Sequence, residues 1–162
     1  MKHALVQLPT IKLVGVAVCT SNAAEFNAAT AKIGATMQKF FGTGLQNKIT
    51  HRAHQGVIFA AYTNYESDLN GEYTYFIGQE VTSFQDLSSE LTTLTIPAQK
   101  YAQYTSDAGQ MPHVVIDMWQ QIWQMSPATL GGQRAYITDF ERYDERSADS
   151  ASAIVEIYIG IK

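Results

Sequence analysis

Two segments near the C-terminus place carboxylates in the middle of strand-like sequence. Residues 136–144 and 154–161 are rich in β-branched and aromatic side chains, which is typical of strands. Side chains alternate along a strand, so Glu156 and Tyr158 share one face while the other face is aliphatic, and Glu141 shares its face with further polar and aromatic residues. A carboxylate on an aromatic-lined sheet face attracts an organic cation through both its charge and the ring faces. The pattern predicts a site for an organic cation.

Simpler interpretations exist for the same residues. A strand glutamate is seldom fully buried, so Glu141 could face solvent or pair with Arg142 or Arg134. Trp119 and Trp123 stand four residues apart and would form one stripe of a helix, which is more often core than ligand contact. The residue types alone leave these alternatives open.

Composition narrows the class of protein. The 162 residues fit one domain or two fused half-domains, and the single cysteine, Cys19, excludes an intrachain disulfide. The net charge is -4 and the 11 Lys and Arg form no basic stripe, which argues against direct nucleic-acid binding. The longest apolar run, residues 13–19, is too short to span a membrane. We expect a cytoplasmic protein with no membrane partner.

Common catalytic and cofactor motifs are missing. The chain has no G-x-S-x-G, no P-loop and no G-x-G-x-x-G, so hydrolase, phosphate and dinucleotide chemistry of those kinds lacks support. His51 and His54 have the spacing of a metal-binding pair, but no third ligand lies nearby in the sequence. We therefore expect no cofactor and no metal site.

Hydrophobic periodicity predicts the same order of elements twice. In the first half, a strand at 11–18 precedes an amphipathic helix from Phe26 to Phe40, and strands follow at 56–63 and 73–81. In the second half, residues 91–104 contain a strand, a helix follows Pro112, and the strands at 136–144 and 154–161 complete the series.

A short sequence echo supports duplication. Residues 8–12 (LPTIK) and 96–100 (IPAQK) share an aliphatic residue, a proline and a lysine at matching positions ahead of the equivalent strand. We predict an α+β fold of two strand-helix-strand-strand repeats, at about 1–85 and 86–162. They would form a pseudo-symmetric antiparallel sheet with two helices on one face and a ligand groove between the halves.

Four segments, in order along essentially the whole chain, resemble the GyrI-like effector-binding domains of AraC-type and multidrug-sensing bacterial activators. These are residues 96–102 (IPAQKYA), the tryptophan-bearing helix at 116–123, residues 139–144 (DFERYD) and residues 155–159 (VEIYI). The sequence departs from the family motifs in having Gln99 in place of a glycine and Gly160 in place of a proline. A third departure is a shortened segment at 126–129.

The resemblance implies a small-molecule-binding protein whose ligand is hydrophobic and cationic. It implies that Glu141 is the pocket acid and that Tyr158 is the last-strand tyrosine, with Glu156 as a second acid. It also implies that Tyr75 and Trp119 are the aromatic wall. Such domains usually report to a helix-turn-helix segment, for which this chain has no room, so we expect a stand-alone form without direct nucleic-acid contact.

Two alternatives to binding alone remain. Some stand-alone members of the family hydrolyse strained electrophiles, and here Glu141 would activate water while Tyr158 or Trp119 positioned the substrate. A gyrase-inhibitor-like protein that contacts an unknown protein partner is the other, and it has no recognisable sequence signature.

Overall fold

All neighbouring strands pair antiparallel in one eight-stranded sheet, in a computed structural model that describes residues 1–162. The strand order is β1-β6-β8-β7-β3-β4-β2-β5. The strands are β1 Lys2–Leu8, β2 Ile11–Ser21, β3 Ile58–Thr63, β4 Glu72–Glu80, β5 Thr92–Ile96, β6 Gln99–Thr105, β7 Thr138–Tyr143 and β8 Glu156–Ile161.

Four α-helices and two 3-10 turns complete the fold. The α-helices are α1 Asn22–Glu25, α2 Ile33–Gly42, α3 His113–Trp123 and α4 Pro127–Leu130, and the 3-10 turns are Leu45–Lys48 and Glu145–Ser147. α2 packs on the first half of the sheet through Phe40, and α3 packs on the second half through Met118 and Ile122. The predicted α+β fold of two repeats is confirmed.

Each repeat begins with an additional strand that joins the other half. β1 precedes β2 but pairs with β6, and β5 precedes β6 but pairs with β2. Each link is only two residues long, 9–10 and 97–98, so the two edges of the sheet must approach each other. The sequence pattern predicted three strands in each half and missed this exchange, because proline marks where a strand begins but not which strand it pairs with.

The helix predicted from Phe26 to Phe40 begins only at Ile33 in the structure, and a separate short helix, α1, ends at Glu25. The Ser21 side chain accepts a hydrogen bond from the Ala24 amide and begins α1. The Glu25 carboxylate then accepts hydrogen bonds from the amides of Lys32 and Ile33, at the start of α2. Phe26 lies between the two helices, 74% exposed, and so is not part of an apolar stripe.

The face of the sheet opposite α2 and α3 has its own apolar cluster. Strand residues provide almost all of it, including Phe59, Tyr101, Phe140 and Tyr158. Because the short links draw the two edges together, the sheet curves around this cluster. The two faces of the sheet are therefore both buried, each by a different set of side chains.

Candidate functional site

A cavity of about 300 Å³ lies between the helices and the middle of the sheet. Its lining comes from both halves of the chain and is mainly aromatic and aliphatic. The lining residues are Asn22, Glu25, Phe26, Ile33, Tyr62, Tyr65, Leu69, Tyr73, Val115, Ile116, Trp119, Gln120, Trp123, Arg134 and Glu141. The groove predicted between the halves corresponds in position to this cavity.

Glu141 contributes a buried carboxylate to the cavity. It is only 4% exposed, and Oε1 accepts hydrogen bonds from the Tyr62 hydroxyl and the Trp119 indole N–H, both at 2.7 Å. Oε2 accepts a hydrogen bond from the Tyr143 hydroxyl. All three donors are uncharged, and no arginine, lysine or histidine forms a salt bridge with Glu141. The negative charge is solvated by protein dipoles but has no counter-charge.

Local strand geometry explains why the carboxylate points into the cavity. Glu141 lies on β7 directly opposite Ala60 of β3, whose small side chain leaves room for the carboxylate and the rings around it. Tyr143 is two residues further along the same face, and Tyr62 is two residues beyond Ala60 on the neighbouring strand. Trp119 approaches from α3. Three elements thus converge on one carboxylate.

Burial disfavours the charged form of the acid and of the phenols alike, but their ordinary pKa values are far apart. Desolvation raises the pKa of Glu141, and the hydrogen bonds from Tyr143, Trp119 and Tyr62 only partly oppose this effect. Burial also raises the pKa of Tyr62 and Tyr143 well above the ordinary value, with the charge of Glu141 adding to the shift. The two phenols therefore remain protonated donors. The Glu141 carboxyl is therefore the group of this cluster that ionises most readily.

A second carboxylate, that of Glu25, borders the same cavity. It accepts hydrogen bonds from the Lys32 amide at 2.9 Å and the Ile33 amide at 3.2 Å, so it caps α2 as well as lining the site. The pKa of Tyr73 is raised by burial first and then by the charges of Glu25 and Glu141. Tyr73 is therefore within electrostatic reach of both acids.

The arginines considered as partners of Glu141 pair elsewhere. Arg134 forms a salt bridge with Asp139 at 2.5 Å. Arg142 contacts Asp144 and Glu156, at 2.8 and 3.4 Å. The interpretation of Glu141 as a solvent-facing or arginine-paired residue is therefore wrong.

The structure places two of the predicted site residues at the cavity. Glu141 and Trp119 both line it. Tyr75 is on the same face of the sheet but is only 2% exposed, and its ring packs edge-on against Tyr62 with centroids 5.5 Å apart. Tyr75 therefore supports the wall of the cavity from behind and does not line it.

The prediction that Tyr158 and Glu156 line the groove with Glu141 is wrong, because both lie on the opposite face of the sheet. Glu141 pairs with Ile157, so the alternation of β8 directs the residues on either side of Ile157 away from the cavity. Tyr158 stacks on Phe140 with ring centroids 4.5 Å apart and donates a hydrogen bond to Glu156. Glu156 is also paired with arginines, so it has no charge free for a ligand.

Sequence reasoning missed several lining residues. Tyr62, Tyr73, Glu25 and Arg134 were not proposed as site residues, although the structure brings all four to the cavity. A signal was available for Tyr143, the third donor to Glu141, because it shares a strand face with Glu141 at a spacing of two. No comparable signal existed for Glu25, whose role depends on the break between α1 and α2.

No group of three or more histidine, cysteine or acidic side chains is arranged to hold a metal ion. His51 instead lies 3.2 Å from Asp86, and His54 lies 3.5 Å from Glu80. No helix in the structure is long and apolar enough to cross a membrane.

Two repeats on a shared sheet, with an acid-bearing aromatic cavity between them, define a GyrI-like effector-binding protein. A family model described as "Cass2: Integron-associated effector binding protein" matches residues 4–161. The chain belongs to this family, and the resemblance to GyrI-like domains is confirmed.

Similarity to individual proteins supports this family assignment. The Bacillus subtilis (strain 168) protein named "Putative transcriptional regulator protein YobU" is 30% identical over 151 residues, covering 93% of this chain and 92% of that protein. The integron cassette protein VCH_CASS2 of Vibrio cholerae has a TM-score of 0.79 and 32% identity, covering 99% of this chain and 95% of its own. SAV2435, solved bound to tetraphenylphosphonium, shares the fold with a TM-score of 0.76 and 20% identity, covering 100% of this chain and 94% of its own.

Proposed function

We propose that the cavity binds a small hydrophobic organic cation and that Glu141 provides its counter-charge. The observation that carries this proposal is the buried Glu141 carboxylate, which has three uncharged donors and no cationic partner. A desolvated carboxylate costs several kcal/mol, roughly, unless an opposite charge compensates it. A cationic ligand supplies that charge.

The remaining lining supports the same class of ligand. Rings of Trp119, Trp123, Tyr62 and Tyr73 border the cavity, and each ring face adds about 0.5–2 kcal/mol of cation–π attraction. Glu25 adds a second negative charge, whereas Asp139 offsets the charge of Arg134. The cavity wall is therefore both aromatic and negative. The tetraphenylphosphonium bound by SAV2435 is a ligand of this kind.

The test compares a cation with a neutral molecule of similar shape. We expect Glu141→Gln to weaken the binding of tetraphenylphosphonium by up to about 3 kcal/mol, the Coulomb attraction between opposite charges roughly 5–6 Å apart at an effective dielectric constant of about 20. Binding of neutral triphenylphosphine oxide should change little, because glutamine keeps the shape of the site. Isothermal titration calorimetry measures both. Equal losses for the two compounds would show that Glu141 supports structure and does not select charge.

Glu156→Gln is the matched control. It removes the same charge from a buried glutamate on the opposite face of the sheet, away from the cavity. Its affinity for tetraphenylphosphonium should equal that of the wild type. A loss as large as that of Glu141→Gln would indicate a nonspecific electrostatic effect.

Turnover separates binding from the hydrolase alternative. Under our proposal, an epoxide incubated with the protein is recovered unchanged, as chromatography would show. Hydrolysis that is abolished in Glu141→Gln would instead establish Glu141 as a general base.

We also propose that the effector-binding role involves no direct contact with DNA. The net charge of -4 and the scattered basic residues support this part of the proposal. Salt-sensitive binding of duplex DNA by the purified chain, measured by mobility shift, would contradict it.

A further inference from the structure

Arg134 is a further polar group of the cavity wall, and three contacts hold it in position. Nη2 donates to Asp139 over 2.5 Å, and the guanidinium lies over the Tyr136 ring at 4.4 Å from its centroid. Its backbone forms an isolated bridge to Ile161 of β8. The side chain is held by an ion pair, a ring and the sheet, so it is pre-organised without a ligand.

Part of this guanidinium has no hydrogen-bond partner. Nε and Nη1 are both buried and unpaired, and the side chain as a whole is 10% exposed. A buried donor left without an acceptor is costly. Arg134 lines the Glu141 cavity and also a neighbouring one of about 540 Å³ beside α4. Arg134 therefore stands in the wall between two cavities and carries N–H groups that no protein atom satisfies.

We propose that Arg134 is a subsite for an uncharged hydrogen-bond acceptor, such as a carbonyl oxygen, on the same ligand whose cationic group pairs with Glu141. This inference rests on the proposed function. The acceptor is uncharged because Asp139 already balances the guanidinium charge, while Glu25 and Glu141 would repel an anion. The unpaired N–H groups of Arg134 therefore orient the ligand through directional hydrogen bonds and add no net charge to the subsite.

Strand geometry sets a scale for the separation of the two subsites. Asp139, which pairs with Arg134, and Glu141 lie on one face of β7, two residues apart, so their Cα atoms are separated by roughly 7 Å. The ligand class is thus a lipophilic cation whose acceptor oxygen lies on the order of 7 Å from its charge.

Two matched probes test this inference. One is a trimethylammonium joined through a four-carbon chain to a phenyl ketone, and the other is its methylene analogue, which lacks only the carbonyl oxygen. We expect wild-type protein to bind the ketone roughly tenfold more tightly than the analogue. In Arg134→Lys, the ammonium keeps the charge opposite Asp139 but lacks the guanidinium fork, so the preference for the ketone should disappear. Affinity for the methylene analogue should remain.

The outcomes distinguish the subsite from the site itself. Equal affinity of wild-type protein for the two probes would overturn the subsite, because the ketone oxygen would then gain nothing from Arg134. An unchanged preference in Arg134→Lys would overturn it as well. Failure of the wild type to bind either cation would contradict the proposed function instead. If Arg134→Lys does not fold, as a melting curve would show, the comparison of the two probes on wild-type protein still decides.

Discussion

The indole N–H of Trp119 donates to Oε1 of Glu141 over 2.7 Å, which connects the middle of α3 to the middle of β7. The same oxygen accepts a hydrogen bond from Tyr62 of β3. A ligand that approaches the carboxylate therefore also meets the indole ring. Trp119 supports the charge of the site and can report its occupancy.

Removing the indole donor should weaken cation binding. Trp119→Phe keeps an aromatic wall but takes one hydrogen bond from the carboxylate, so the pKa of Glu141 should rise further and affinity for tetraphenylphosphonium should fall by about 1–3 kcal/mol. Trp123→Phe is the matched control, since Trp123 lines the cavity without a hydrogen bond to Glu141. Equal effects of the two variants in calorimetry would show that lost ring area, and not the donor, matters.

Cation binding should depend on pH through Glu141. Burial raises the pKa of this carboxyl above its ordinary value of 4.5, so the empty site becomes protonated as the pH falls through the raised pKa. Affinity for tetraphenylphosphonium should decrease over that range, while affinity for triphenylphosphine oxide stays level. Calorimetric titrations at a series of pH values measure both. The slope should be absent in Glu141→Gln, and its persistence there would assign the titration to another group.

Stability should show the opposite pH preference. Because the folded-state pKa of Glu141 is raised, its contribution to the free energy of unfolding is most favourable below pH 4.5 and is lost as the pH rises through the folded pKa. The non-titrating Glu141→Gln variant should therefore gain stability relative to the wild type as the pH rises from about 4 to 7. Urea unfolding at the two ends of this range checks the sign, and a relative loss would contradict it.

The ion-pair network on the other face should stabilise the fold and leave the cavity unaffected. Hydrogen bonds from Arg146 lower the pKa of Asp144 to about 2. Because this folded-state pKa is depressed, its stabilisation is present above the ordinary pKa of 3.8 and is lost as the pH falls towards 2. Asp144→Asn should lower the free energy of unfolding at pH 7 by about 1–3 kcal/mol, and the deficit should shrink in acid. Chemical unfolding measures this, and changed affinity for tetraphenylphosphonium would contradict the separation of the two faces.

Local pattern was sufficient for much of the architecture. The strands around Glu141 and Glu156, the helix that carries Trp119 and the repeated order of elements all follow from alternation and periodicity, which depend on neighbours within a few residues. The break at Phe26 did not follow, because Glu25 ends one helical segment by reaching the amides of Lys32 and Ile33. The local sequence does not determine which of several available donors the Glu25 carboxylate binds.

The sequence by itself determined which residues of a single strand share a face, and through the family motif it singled out Glu141 as the acid of the site. Only the tertiary structure decided how the faces of different strands match. The pairing of Glu141 with Ile157 put Tyr158 and Glu156 on the far side of the sheet, and a shift of one residue would have reversed that result. Tyr62 reached the cavity through the pairing of β3 with β7, and Arg134 through its bridge to Ile161 of β8. Such pairings are selected by the burial of whole faces, and no local spacing encodes them.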